Sequence, residues 1–141
     1  MNDVIYPRSP REVMDGWVHL PRFIDKIRLH LAGKLSPDYR PNFTKGFDGW
    51  WLETAALKAD DFIAVVKETI TDGQVCDWVR QNVRRSAEEK AAFREKLFGY
   101  GRVGDEQVKS RFAARKLQAG FGDREDVQCF IDLIEADEKR I

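Results

Sequence analysis

Apolar residues recur along most of this chain at helical rather than strand spacing. Leu20, Ile24, Ile27 and Leu31 fall on one face, with Phe23 beside them, the three-and-four spacing of an amphipathic helix. Pro21 predicts the start of that helix, and Gly33 predicts its stop after about Ala32. Leu29 lies on the opposite side, among Arg22, Asp25 and Lys26. An apolar residue within a polar face marks a helix covered on both sides, so this helix is expected at the centre of the fold. Upstream, Ser9-Pro10-Arg11-Glu12 reads as a capping box with proline at the first helical position, opening a short helix that Gly16 ends.

Downstream the same period continues. Residues 34–47, "KLSPDYRPNFTKGF", hold two prolines and a glycine and read as a loop. A helix follows from about Asp48 through Leu57 and carries Trp50 and Trp51. "ADDFIAVVKETI" predicts a helix with Phe62, Val65, Val66, Thr69 and Ile70 inward, and "TDGQVCDWVRQNV" another with Val75, Trp78, Val79 and Asn82 or Val83 on its face. Ser86-Ala87-Glu88-Glu89 is a second capping box, starting a helix to about Phe98. Gly99, Gly101 and Gly104 break the chain before a helix over Asp105–Ala119, stopped by Gly120. Asp123 is expected to cap the last helix, whose face is Val127, Phe130, Ile131 and Ile134. No alternating pattern runs longer than a few residues, and there is no internal repeat. The expectation is an all-α fold: one domain over residues 1–141, with six to eight short helices in an irregular or orthogonal bundle. An N-terminal arm covers about residues 1–8, and a long loop about 34–47.

Composition agrees with this. The 141 residues suit one core, and 43% apolar with 11% aromatic residues is enough to fill it. Twenty-four basic residues balance 24 acidic ones, which argues against whole-molecule attraction to nucleic acid or membrane. No apolar run reaches the ~20 residues of a membrane span, and "MNDVIYPRSP" lacks the core of a secretion signal. Cys76 and Cys129 have no ligand spacing and suggest reduced thiols in a cytoplasmic protein. The sequon "NFT" at 42–44 is then a chance match.

The neutral total hides segregation. Residues 80–116 hold eleven Lys and Arg against five Asp and Glu, whereas residues 35–79 hold four against eight and residues 123–141 three against seven. Solvated or mutually facing helices are the simpler reading of the basic stretch, because Glu88, Glu89, Glu95, Asp105 and Glu106 interrupt it. A phosphate-binding surface would need those charges gathered on one face.

Candidate chemistry is sparse. "GYGRVG" at 99–104 matches the glycine fingerprint of dinucleotide sites, but that site needs a strand feeding a tight turn into a helix N-terminus. The segment before it, "EEKAAFREKLF", reads as a helix. His19 and His30 are the only histidines, and neither has a glutamate three positions before it, so the Glu-x-x-His of di-metal bundles is absent. No metal, no cofactor and no nucleophilic triad is implied by spacing. What remains is a cluster in the central helix: Arg22, Asp25, Lys26 and Arg28, with His19 at the corner before it. Asp25 is three residues from both Arg22 and Arg28, so it can pair along the helix with either. The cluster then settles its own charge inside the fold, or its cations wall a pocket for a small anion.

In order, "PRSPRE", "GWVHLPRFIDKIRLHLAGKL", "DWVRQN", "RSAEE" and "REDVQCFIDLIEADE" resemble the DUF5069 domain family of bacterial proteins, from Pro7 to about Glu138. L-P-R, I-D-K and L-A-G in register between Leu20 and Gly33 are the most specific part. Between Asp38 and Trp51 the chain departs from the family's Cys-Pro-Leu-Asp-like pattern with "DYRPNFTKGFDGWW". The resemblance implies one helical domain of bacterial origin and carries no mechanism, but it draws attention to Arg22, Asp25 and Lys26, which sit in its most recognisable motif.

Two functions follow. The first is a non-catalytic interaction or accessory protein with a protein partner or a second copy of itself. The second is a small enzyme or ligand sensor holding a small anion at His19, Arg22, Asp25 and Lys26.

Overall fold

Asp15 and Gly16 both adopt left-handed backbone, with φ of 50° and 79°, and this reverses the chain before the first helix. Two consecutive positive φ angles make the turn whose twist suits a two-residue hairpin, and Asp-Gly is among its preferred sequences. Strand β1 (Val13–Met14) accordingly pairs antiparallel with β2 (Trp17–Val18). The short helix expected from Ser9 does not form. Ser9 begins a single turn instead, its carbonyl accepting from the Glu12 amide at 3.1 Å, and the Asp-Gly signal overrides the capping box. Lys90 anchors the hairpin turn, donating to the Asp15 carbonyl at 2.6 Å.

The computed structural model of the chain describes residues 4–141, so the first three residues of the expected arm lie outside it. Seven α-helices follow the hairpin among the described residues: α1 (Leu20–Leu31), α2 (Gly46–Ala55), α3 (Ala59–Glu68), α4 (Asp72–Asn82), α5 (Ala87–Gly99), α6 (Glu106–Gln118) and α7 (Phe130–Asp137). The fold is all-α with one minimal hairpin. Within the expected 34–47 loop, Pro37–Asn42 winds into a 3-10 helix, and α2 begins at Gly46, two residues before the expected Asp48.

Contacts divide the described residues into two units, one ending at Phe93 and one running from Arg94 to Ile141. In the first, α1 packs on α2, α3 and the hairpin. Leu20, Phe23, Ile24 and Ile27 are buried, as their spacing predicts, but Leu31 is 42% exposed. Trp17, Phe23, Trp51 and Phe62 interlock at the centre, Trp17 meeting Trp51 edge-on at 6.1 Å and Trp51 meeting Phe62 at 4.8 Å. Of the adjacent pair, Trp51 takes the core and Trp50 is half-buried. Val75, Val79 and Val83 face inward from α4. Ile70 does not: it is 84% exposed, because Thr69 turns extended at the end of α3 and carries the next residue off the helical face. The Thr71 capping box then opens α4, with Gln74 accepting from both the Ile70 and Thr71 amides.

In the second unit Phe112, Val127 and Ala136 form the core with Phe121, Phe130 and Leu133 against it. Asp105, expected as the first residue of its helix, instead caps α6, accepting from the Gln107 amide at 2.8 Å. Asp123 caps nothing: Asp132, in the first turn of α7, accepts from the Gln128 amide at 2.8 Å, and the helix starts at Phe130. The glycine loop after α5 is a tight helix-to-helix turn. Gly101 has φ of 93°, and a Cβ there would lie 3.0 Å from Phe130 and 3.1 Å from Phe112. That backbone approach explains the glycine without any nucleotide.

Candidate functional site

His19 stands between the hairpin and α1 with φ of 71°, a left-handed conformation uncommon for a residue bearing a Cβ. Surrounding bonds hold it there. Its amide donates to the Pro10 carbonyl at 2.9 Å, and its own carbonyl accepts the Phe23 amide at 3.0 Å. The corner aims the imidazole at the first turn of α2, where Asp48 lies fully buried. His19 Nε2 is 2.7 Å from Asp48 Oδ1, and Lys26 Nζ donates to Asp48 Oδ2 at 2.7 Å. The Thr44 amide donates to the same Oδ2 at 3.1 Å. A carboxylate in the first turn of a helix is also favoured by the helix dipole.

These three side chains settle one another's charge. Burial pushes the Asp48 carboxyl up, but the His19 hydrogen bond and the Lys26 charge outweigh it and hold the group below the usual carboxylate range. Burial pushes the His19 imidazole down, more strongly than its bond to Asp48 raises it, with Lys26 and Arg22 adding to the depression. The working state is therefore Asp⁻ with Lys⁺ and a neutral histidine that donates Nε2–H to the carboxylate. His19 Nδ1 is then a buried acceptor, with no hydrogen-bond partner among the described residues.

Of the expected site residues, His19 and Lys26 meet at Asp48. Arg22 is buried beside them, with its guanidinium over the Tyr39 ring at 5.5 Å and Nη1 donating to the Arg8 carbonyl at 3.2 Å. Asp25 belongs to a different cluster. It accepts from the Arg8 amide at 2.9 Å and from Arg8 Nε and Nη2, both at 3.0 Å, in place of the expected pairing along the helix. Arg8 also donates to Asp72 Oδ2 at 2.7 Å, and Arg28 donates to Asp72 Oδ1 at 2.6 Å. Arg8 thereby ties the segment before the hairpin to α1 and α4. The predicted arm is thus tethered at its last residue.

No local sequence pattern marks Asp48, Arg8 or Asp72. Each meets its partner across a long separation, 29 residues for His19 and Asp48 and 64 for Arg8 and Asp72, so no helical period links them. The local hint is Gly49, directly after Asp48. A Cβ at Gly49 would lie 3.2 Å from the Thr44 carbonyl oxygen, so the turn that delivers the Thr44 amide to Asp48 needs a small residue there.

In form, His19 and Asp48 are an acid–base dyad. In access they are not, since His19 is 2% exposed and Asp48 fully enclosed, and a general base must come within hydrogen-bond reach of its substrate. Among the described residues no group of three His, Cys, Asp or Glu is placed to hold a metal, and no helix is long and apolar enough to cross a membrane. A family model described as "Domain of unknown function (DUF5069)" matches residues 4–140. No curated protein matches the chain.

Proposed function

The chain belongs to the DUF5069 family, and from the chemistry around Asp48 we propose that it acts as an interaction or accessory protein, by contact with another protein chain rather than by turnover. The observation that carries this reading is the internal use of the charged side chains. Lys26 and His19 are spent on one buried carboxylate, and Asp25 is spent on Arg8. Such a cluster ties together the hairpin, α1 and α2, and removing one partner would strand a buried charge. Three successive apolar residues, Val4, Ile5 and Tyr6, lie exposed just before the Arg8 tether. They supply a contact surface of the kind aromatic and aliphatic anchors make at interfaces.

The test compares the wild-type chain with a variant carrying Val4→Ser, Ile5→Ser and Tyr6→Ser. Light scattering after gel filtration and cross-linking in a cell extract give the assemblies. A stoichiometric complex, with itself or with one partner, that the variant loses at unchanged melting temperature supports the proposal. Turnover of any substrate, abolished in a folded His19→Gln chain, overturns it in favour of an enzyme or anion sensor at His19, Arg22 and Lys26. Identical monomers with no partner overturn it as well.

A further inference from the structure

At the opposite end of α1 from His19, a cavity of about 440 Å³ opens between the helix terminus and the 3-10 segment. It is lined by His30, Gly33, Leu35, Arg40 and Phe43, and its volume falls within the range of small-molecule sites. Leu35 is the buried residue of this lining. Phe43 forms an aromatic wall, with the His30 ring tilted against it at 4.6 Å between centroids. Gly33 leaves open space where a side chain would stand, with nothing within 4 Å of an added Cβ.

Arg40 brings a positive charge to this lining. The Arg40 guanidinium makes no hydrogen bond or ion pair with any described residue. Lys34 and Lys45 neighbour the lining in sequence, with Asp38 the single acid of residues 28–45, while Arg28 is paired with Asp72. Free carbonyls at a helix C-terminus would ordinarily repel an anion, but three of the last four in α1 are occupied. The Arg28, Leu29 and His30 carbonyls accept the amides of Ala32, Lys34 and Gly33.

We infer that this cavity is a binding site for a small amphiphilic anion: an aromatic or branched apolar body seated on Leu35 and Phe43, with a carboxylate or comparable group facing Arg40. The apolar lining excludes bare inorganic anions, and the unpartnered guanidinium discriminates against neutral analogues through a charge-assisted hydrogen bond. The site is separate from Asp48 and independent of the proposed protein contact.

Titration calorimetry and amide chemical-shift mapping on the full chain test this with three probes: 1-naphthoate, its neutral counterpart 1-naphthylmethanol, and inorganic phosphate. Naphthoate is expected to bind with shifts confined to residues 30–43, the alcohol about tenfold more weakly, and phosphate not at all. Arg40→Gln is on the surface and should fold normally while lowering naphthoate affinity about tenfold. Phe43→Leu, checked by its melting temperature, should weaken naphthoate and alcohol alike. Equal affinity for naphthoate and alcohol, undiminished binding to Arg40→Gln, shifts elsewhere in the chain, or no binding at several millimolar probe would each overturn the assignment.

Discussion

Lys26 Nζ sits 2.7 Å from Asp48 Oδ2, with the carboxylate wholly buried and the lysine nearly so. The pair joins the middle of α1 to the start of α2, and no solvent is at hand to take over either charge. Asp48→Ala should therefore cost about 3–5 kcal/mol, because it strands a buried ammonium and removes the bonds from His19 and Thr44 together. Lys26→Met, which fills similar volume without charge, should cost less, since Asp48 keeps two of its three donors. Urea unfolding of the two variants gives both numbers. Equal and small losses would mean that water reaches the pair.

Acid should loosen the same cluster. His19 has its folded pKa below the ordinary 6.5, so between those two values the unfolded chain binds a proton that the folded chain refuses. Stability from this group is complete above about pH 6.5 and falls as pH drops through the folded value, by at most about 1.4 kcal/mol per pH unit. Asp48 acts in the same direction at lower pH: its folded pKa lies below the ordinary 3.8, and its contribution is lost as pH falls through that folded value. Melting temperatures from pH 7.5 to 4.5 should decline in the wild type, and His19→Gln should flatten the upper part of that decline. A parallel curve for the variant would assign the acid sensitivity elsewhere.

The legible parts of this chain were those written in local signals. Pro21 and Gly33 bound α1, and Ser86 with Glu89 opens α5; each rests on residues within a few positions of the backbone groups they serve. Errors arose where two local signals competed. Ser9 and Glu12 spelled a helix start, but Asp15-Gly16 spelled a hairpin, and the hairpin won because Trp17 and Val18 gain full burial there. Asp123 lies too far before Phe130, where the last helix starts, to cap it. The site divided the same way. His19, Arg22 and Lys26 were found because they cluster in sequence. Asp48 and Arg8 were not, because charge complementarity between distant segments leaves no period to read.

Glycine at position 101 is a sharper test of the second unit than any apolar substitution. Its φ of 93° is strained for other residues, and an added methyl would press on Phe130 and Phe112. Gly101→Ala should cost about 2–4 kcal/mol from backbone strain and overpacking together. Gly104→Ala shares the positive φ, at 90°, but meets nothing within 4 Å, so it should cost about 1 kcal/mol. If the two variants melt alike, the close approach of the 99–104 turn to Phe130 is wrong.

The three-residue spacing predicts that Asp25 pairs along its own helix, but the structure gives its carboxylate to Arg8. That changes the size and the readout of its removal. Both side chains are partly exposed, so Asp25→Ala should cost about 1–3 kcal/mol, less than Asp48→Ala, because water can solvate the Arg8 guanidinium left behind. The loss should also fade with added salt, whereas the Asp48 loss should not, since screening reaches partly exposed pairs and spares enclosed ones. Arg8→Ala should reproduce the Asp25 effect and exceed it, because it also releases Asp72, and combining the two substitutions should add little beyond Arg8→Ala alone. Limited proteolysis supplies an independent readout: freeing the tether should speed cleavage before the hairpin while leaving α6 and α7 protected. Full additivity in the double variant, with no change in cleavage, would show that Arg8 and Asp25 do not act on each other.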